Sequence, residues 1–295
     1  MAQQMTMMGK TCLVTGASGG IGRETALALA RMGATVLIVA RDRARGDVAA
    51  AEIRQQAPRA SVELFLADLS SQRQVRQLAA AVRAQHQRLD VLIHNAGAVH
   101  AVRRVTEDGL EATLATNHLA PFLLTQLLQD PLSAAAPSRV VTVTSYLHTR
   151  VKTIPWDDLQ SERAYRSHAV YNLTKLMNVL FTYQLATRWA GSNVTATCLH
   201  PGWPLKTGLG REEQGLSGVF DRITKLFASS AEQGARTSVY LASSPEVAGV
   251  SGGYFTKCKT ATSSPLSHDE AVAERLWEVS GALCGLTSPA LSTPA

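Results

Sequence analysis

Apolar residues fall into two alternating patterns along the chain: short continuous runs, and longer stretches in which they recur at helical spacing. Residues 10–15 (KTCLVT) form the first run, which ends in a glycine-rich turn, and 21–32 then repeats apolar positions with the period of a helix. Gly33 ends that helix, and 34–40 (ATVLIVA) is a β-branched run of the kind that a parallel sheet buries on both faces. Val62–Leu66, Val91–His94, 140–144 and Val194–Leu199 continue the series, with helices predicted near 43–56, 71–86, 107–130 and 169–190. A short strand at 253–255 follows a helix predicted near 231–242. Strands alternating with helices predict an α/β fold, a Rossmann-like doubly wound parallel sheet of about seven strands with helices on both faces, because parallel neighbours need right-handed crossovers.

The stretch 202–230 breaks the alternation: several glycines precede Leu216, Val219, Phe220, Ile223, Leu226 and Phe227, spaced as one face of a short helix. It is read as a substrate lid near 205–228, in preference to an ordinary packed helix or a membrane-touching face. Residues 268–284 read as a last amphipathic helix. The expected organisation is a flexible start (1–8), one domain (9–285) and a disordered tail (286–295, LTSPALSTPA).

Composition narrows the function classes. With 45% hydrophobic and 18% charged residues, the 295-residue chain can bury a large core, which excludes wholesale disorder. The excess of 29 Lys+Arg over 23 Asp+Glu suits a phosphate-bearing ligand but is too dilute for nucleic acid. No Lys/Arg block and no zinc-spaced Cys/His cluster is present, so neither nucleic acid nor a metal is expected. The four cysteines lie far apart and read as reduced thiols. Residues 1–8 show neither a basic nor an apolar signal region, and the apolar runs are strand-length, so a soluble, cytoplasmic protein without a membrane span is expected.

The candidate chemistry sits at strand ends. In 15–22 (TGASGGIG), glycines let the backbone approach a pyrophosphate whose charge meets the free N–H groups and positive dipole of the following helix. A tight turn needs glycine anyway, so the placement between first strand and first helix carries the reading. Tyr171 and Lys175 share a helix face, and Tyr171 alone of the six tyrosines has a lysine four residues on. The lysine charge is expected to pull the phenol below its ordinary value of about 10, making it an acid/base group. Ser145 can hold a substrate oxygen or simply begin a turn, and Asp68 can touch a ligand or cap the helix after it.

The spacing Gly16-x-x-x-Gly20-x-Gly22 resembles the short-chain dehydrogenase/reductase superfamily, classical type. Asn95-Ala96-Gly97, Asn117, Ser145, Tyr171-x-x-x-Lys175 and His200-Pro201-Gly202 follow in the family's order from about residue 9 to 255, with His94 where many members have another Asn. The resemblance implies catalysis by Asn117, Ser145, Tyr171 and Lys175, with Asn117 holding a water and a backbone carbonyl in a proton relay. For the cofactor it implies Gly16, Ser18, Gly20, Ile21, Gly22, Arg41, Asp68, Leu69, Asn95, Ala96, Gly97, Tyr171, Lys175, Pro201, Gly202 and Thr207. Ala40 fills the family's acidic slot after the second strand and Arg41 the basic one, which implies NADP(H); Asp42 argues against it unless it caps the next helix.

Four further stretches, 120–125 (APFLLT), 154–159 (IPWDDL), 175–181 (KLMNVLF) and 253–255 (GYF) with Cys258, resemble the retinol-dehydrogenase-like branch. That branch implies hydride transfer between NADP(H) and the carbonyl or alcohol carbon of a lipophilic small molecule, as a retinol dehydrogenase or a broad carbonyl reductase. Many of its members carry an N-terminal membrane anchor, which is not read here. The family also implies a homo-oligomer formed through the long helices carrying Asn117 and Tyr171. Two rival readings are a catalytically silent NADP-binding sensor or scaffold, and a sugar-nucleotide epimerase, for whose substrate domain the chain after Pro201 is short.

Overall fold

The computed structural model describes residues 6–202 and 230–286. The expected lid, Thr207 and the expected tail beyond Leu286 lie outside the described residues.

Eight strands form one sheet: β1 (Thr11–Thr15), β2 (Thr35–Ala40), β3 (Val62–Leu66), β4 (Val91–His94), β5 (Ser138–Val143), β6 (Val194–Leu199), β7 (Gly253–Thr256) and β8 (Lys259–Thr260). Their order is β3-β2-β1-β4-β5-β6-β7-β8, parallel throughout except for the last pair. The order reverses between β1 and β4, and ligands of open α/β sheets bind outside the carboxyl ends of the strands at such a point.

The helices are α1 (Gly20–Arg31), α2 (Arg43–Gln56), α3 (Gln72–Gln85), α4 (Ala112–Leu114), α5 (Ala120–Leu127), α6 (Gln129–Ala135), α7 (Ser167–Arg188), α8 (Ala231–Ser243) and α9 (Glu270–Leu283). Alternation along each strand feeds two cores. Leu13, Leu37 and Val39 pack with α3, α5, α7 and α9, whereas Cys12, Val14, Val36 and Ile38 pack with α1, α2 and α8. Asp90 fastens the amino end of the sheet: its carboxylate accepts from Thr11 N at 2.9 Å and from Lys10 Nζ at 2.8 Å, and its own carbonyl accepts from Arg139 N.

The structure departs from the expected elements in three places. The helix expected over 107–130 starts only at Ala112, where the buried Glu111 carboxylate caps it by accepting from Thr113 N and Leu114 N at 2.8 and 2.6 Å. That helix then passes through one π turn (Ala115–Leu119) and breaks at Leu128 before α6. An eighth strand, two residues long, returns antiparallel through a turn at Lys257 and Cys258 with positive φ (50° and 59°). Too short to show a period, it left no apolar pattern. At the chain's start, Met7 is buried and its N–H donates to Met32 O, so the expected flexible segment does not extend to this residue.

The helices that carry Asn117 and Tyr171 also receive the last helix of the chain. α9 lies across α5 and α7: Trp277 stands edge-on to Phe122 at 4.9 Å and near-parallel to Phe181 at 6.0 Å. Arg188 stacks on Trp277, and Glu274 accepts from both Gln184 and Arg188. The chain's own last helix thus packs on α5 and α7 through an aromatic contact. Among the described residues no helix is long and apolar enough to cross a membrane.

Phe122 is 2% exposed at the centre of this cluster. Phe122→Ala is expected to cost about 3–5 kcal/mol of unfolding free energy, measured by denaturant titration. A loss below about 1 kcal/mol would mean that α9 is not held by this contact.

Candidate active site

The glycine turn is shaped by what lies against it. Gly16 has φ 67°, and a Cβ there would come 2.8 Å from the Ala96 Cα; a Cβ on Gly22 would come 2.5 Å from Gly16 O. Asn95 closes the joint, its Nδ2 donating to Thr15 O at 2.8 Å, while Thr15 Oγ1 accepts from the N–H groups of Asn95 and Ala96 at 3.0 and 3.1 Å. Asn95 and Ala96, expected to bind cofactor, therefore also set the shape of the turn. α1 begins at Gly19 with no side-chain cap and no acidic residue in its first turn, whereas Asp42 and Ser71 cap α2 and α3. The uncapped N–H groups, with half-buried Ser18 and buried Ile21 beside them and open space above Gly20, fit an anionic diphosphate.

At the end of β2, Arg41 is exposed and Asp42 Oδ1 accepts from Arg45 N at 2.8 Å. The Asp42 carboxylate is thus committed to capping α2. Arg45, which the sequence reading missed, reaches back so that its Nη2 lies 3.8 Å from where a Gly19 Cβ would stand. The signal was its place in the first turn of a helix that starts beside the glycine turn. Asp68 does not cap α3, since Ser71 does; its Oδ1 accepts from Ser70 N and Oγ at 2.9 and 2.8 Å. Leu69 packs on the core beside it. Pro201 and Gly202 are half-buried past β6, with Gly202 N donating to His200 Nδ1 at 3.1 Å.

Ser145, Tyr171, Lys175 and Asn117 converge at the carboxyl ends of β4 and β5. Ser145 stands two residues beyond β5 in extended conformation, with its side chain near enough to Tyr171 to lower that phenol's value. Lys175 is 4% exposed; its Nζ donates to Val143 O at 3.1 Å and lies 5.5 Å from the centre of the Tyr171 ring. Gly97 lies beside Lys175 and Asn117: a Cβ there would make ordinary contacts, 3.5 Å from Nζ and 3.7 Å from Asn117 Oδ1. Asn117, fully buried in the π turn, accepts from Ala98 N at 2.7 Å and donates to Ala98 O at 2.9 Å and to Thr174 Oγ1 at 3.1 Å.

The electrostatics correct one expectation. Burial pushes the Tyr171 hydroxyl up to about 12, the Ser145 hydrogen bond working against it, so the expected downward pull from Lys175 does not prevail. The physical reason is shared enclosure. Burial also lowers Lys175 to about 8, which weakens it as a fixed charge.

A buried polar chain supports Asn117 from behind. Asn178 Nδ2 donates to Asn117 O at 2.8 Å, Asn178 Oδ1 lies 3.2 Å from His118 Nδ1, and His118 Nε2 lies 2.8 Å from Ser280 Oγ on α9. The amide nitrogen of Asn178 is spent on a carbonyl, so its oxygen accepts from Nδ1–H and Ser280 donates to Nε2. Burial holds His118 neutral, its value lowered to about 4. His94 likewise serves structure, its Nε2 lying 2.7 Å from Thr125 Oγ1 on α5. The sequence reading did not find Asn178 or His118, because neither position shows its partner before α7 and α9 pack. No metal-ligating group of three occurs among the described residues.

A family model for short chain dehydrogenase matches residues 10–214. Retinol dehydrogenase 14 of Homo sapiens is 43% identical over 296 residues, spanning 95% of this chain and 88% of the relative. Among solved structures, an uncharacterized protein from Mycobacterium paratuberculosis matches 97% of this chain and 98% of its own, with TM-score 0.77 and 31% identity. A Beutenbergia cavernae protein, described as an NAD(P) dependent gluconate 5-dehydrogenase and solved with NADP at low occupancy, matches 86% of this chain and 96% of its own, with TM-score 0.69 and 27% identity.

Lys175 makes stability depend on pH. The folded chain releases this proton near pH 8, while the unfolded chain keeps it to about 10.5. The unfolded state binds more protons between those values, so this group's contribution to stability rises with pH across the window. Comparison with Lys175→Met cancels the opposing titration of the buried cysteines. Wild-type stability relative to the variant should climb from pH 8 to 10 with a slope approaching about 1.4 kcal/mol per pH unit, read from urea midpoints. A flat difference would mean that the folded lysine keeps its ordinary value.

Proposed function

The chain belongs to the short chain dehydrogenase family, on its retinol-dehydrogenase-like branch, and from that premise we propose that it transfers hydride between NADP(H) and the carbonyl or alcohol carbon of a lipophilic small molecule. The observation that carries the reading is the convergence of Ser145 and Tyr171 with the buried Lys175 ammonium beneath the Tyr171 ring. Serving as a dehydrogenase follows from the family; the phosphate on the cofactor and the lipophilic substrate are the proposed parts.

The residues that would hold the cofactor are distributed along the carboxyl edge. Gly16, Ser18, Gly20, Ile21 and Gly22 would offer backbone to the diphosphate, and Asp68 and Leu69 would flank the adenine. Asn95, Ala96, Gly97, Tyr171, Lys175, Pro201, Gly202 and, outside the described residues, Thr207 would hold the nicotinamide half, as the family pattern implies. Support for NADP(H) comes from exposed Arg41 at the end of β2, from Arg45, whose guanidinium reaches toward Gly19, and from Asp42, whose carboxylate is engaged in capping α2. When bound, the nicotinamide supplies or accepts the hydride.

The protein's own part is proton handling and orientation. A hydroxyl held near 12 is protonated at neutral pH, so Tyr171 is set to give its proton to a substrate oxygen, and Ser145 holds that oxygen in place. Lys175 stands beneath the ring to favour the phenolate that remains, while Asn117 joins Thr174, the residue before it, to the loop at Ala98. Support for a lipophilic substrate comes from the retinol dehydrogenase relatives and from Tyr146, 57% exposed beside Ser145 with its ring 6.2 Å from His200. The four free cysteines support a reducing, cytoplasmic setting.

Tyr171→Phe keeps the ring and removes the transferable proton, so turnover of apolar aldehydes, followed as NADPH absorbance, should fall at least ~100-fold with NADPH affinity retained. Near-normal turnover by the folded variant would reject Tyr171 as acid. NADPH binding without turnover of any aldehyde by the wild type would favour a sensor.

Arg41→Ala should weaken NADPH binding by roughly 10–100-fold and NADH binding little, measured by nucleotide fluorescence titration. A wild-type preference for NADH would reject the NADP(H) assignment.

A further inference from the structure

His148 lies on the single helical turn Tyr146–Arg150 that Ser145 begins, and it is fully buried. A buried histidine is most often packing. Here both ring nitrogens meet backbone: Nδ1 lies 2.7 Å from Ser145 O, and Nε2 accepts from Ser264 N at 3.0 Å. A carbonyl can only accept and an amide N–H only donate, so Nδ1 carries the proton and Nε2 does not. An imidazolium would set its Nε2–H against the Ser264 N–H, which the geometry forbids.

The consequences for Ser145 are specific. Its carbonyl accepts twice, from the His148 ring and from His148 N at 3.1 Å, which fixes the backbone at φ −148° and ψ 149°. Its Oγ accepts from Leu147 N at 3.2 Å, on the same helical turn, and acts on Tyr171 by lowering that phenol's value. The held carbonyl and the Leu147 N–H together fix the residue from both its backbone and its side chain. The far anchor is tied to the helix that carries Tyr171: Ser263 Oγ lies 2.7 Å from Tyr183 Oη on α7, and Ser267 Oγ donates to Ser264 O at 2.6 Å. Tyr254 closes over the imidazole, edge to face at 5.1 Å.

We infer that His148 is a positioning residue which, as a neutral Nδ1–H imidazole bridging Ser145 O and Ser264 N–H, holds the Ser145 hydroxyl in register with Tyr171. The inference rests on the proposed hydride-transfer reading and assigns His148 no contact with substrate or cofactor.

Three substitutions divide the bridge. His148→Asn places an amide near the Nδ1 position and keeps a donor for Ser145 O; His148→Gln reaches the Nε2 position and keeps an acceptor for Ser264 N–H; His148→Phe keeps the ring and loses both. In the full chain with NADPH and an apolar aldehyde, Phe and Gln should lower kcat by about 10–100-fold, because small displacements of a reacting group carry such costs. KM and NADPH affinity should stay within about twofold, and Asn should recover most of kcat. Adding Ser145→Ala to His148→Phe should cost no more than Ser145→Ala alone, the signature of two residues acting as one. If Ser145→Ala itself leaves turnover intact, the hydride-transfer assignment of the site fails. If it abolishes turnover while His148→Phe matches wild type, only the positioning role fails. Independently of any variant, long-range ¹⁵N–¹H NMR of the wild-type protein should show His148 as the neutral Nδ1–H tautomer at neutral pH. An Nε2–H tautomer or an imidazolium would overturn the inference.

Discussion

Keeping the Lys175 ammonium out of water is the constraint on which the rest of this structure depends. Among the described residues it donates to a carbonyl, Val143 O, and no carboxylate pairs with it. Burying an ion costs several kcal/mol even after relaxation, so its surroundings must supply oriented dipoles and exclude solvent on every side. That requirement accounts for α7, buried from Val170 through Leu185 far beyond a single face. It also accounts for Asn117, whose amide bridges Ala98 and Thr174 next to the lysine. The same enclosure raises Tyr171, because a phenolate is penalised where an ammonium is.

Support reaches this enclosure from the end of the chain through two neutral histidines. His118 connects Ser280 on α9 to Asn178 and so to the carbonyl of Asn117. His148 connects the Ser264 backbone to the carbonyl of Ser145. Each ring spans from one segment to another with a defined proton position, which apolar packing alone does not impose. The residues after β7 therefore do more than cover α5 and α7 with Trp277: they reach behind two of the four convergent groups. A satisfied polar network of this kind rigidifies its members, and small errors in the placement of reacting groups are costly to turnover.

At the opposite end of the crevice the division of labour is visible in neighbouring residues. Asp42 is spent on the N-terminus of α2, and Ser71 on that of α3, while α1 is left bare where the glycine turn meets it. An uncapped helix start is unfavourable by itself; here it leaves backbone donors free beside the glycine turn. Arg45 reaches toward the same turn at Gly19.

Much of this was legible before the fold was known. Continuous β-branched runs and 3.6-residue periodicity located β1 to β7 and the larger helices, since buried strands and amphipathic helices write their environment into the local pattern. The glycine turn, Tyr171 with Lys175, and Arg41 were legible for the same reason: each depends on spacing within one turn or one helix. What the pattern could not carry were features defined by a distant partner. The π turn at Ala115–Leu119, the two-residue β8, Arg45 over Gly19, and the bonds of His118, Asn178 and His148 exist only because segments up to 162 residues apart come together. The direction of the Tyr171 shift was misread on sequence because helical spacing reports a neighbouring charge but says nothing of how deeply both groups are buried. Local chemistry was thus determined by the sequence alone, whereas burial, tautomer and proton affinity were decided by the tertiary structure, because desolvation and hydrogen-bond partners arise only when distant elements pack.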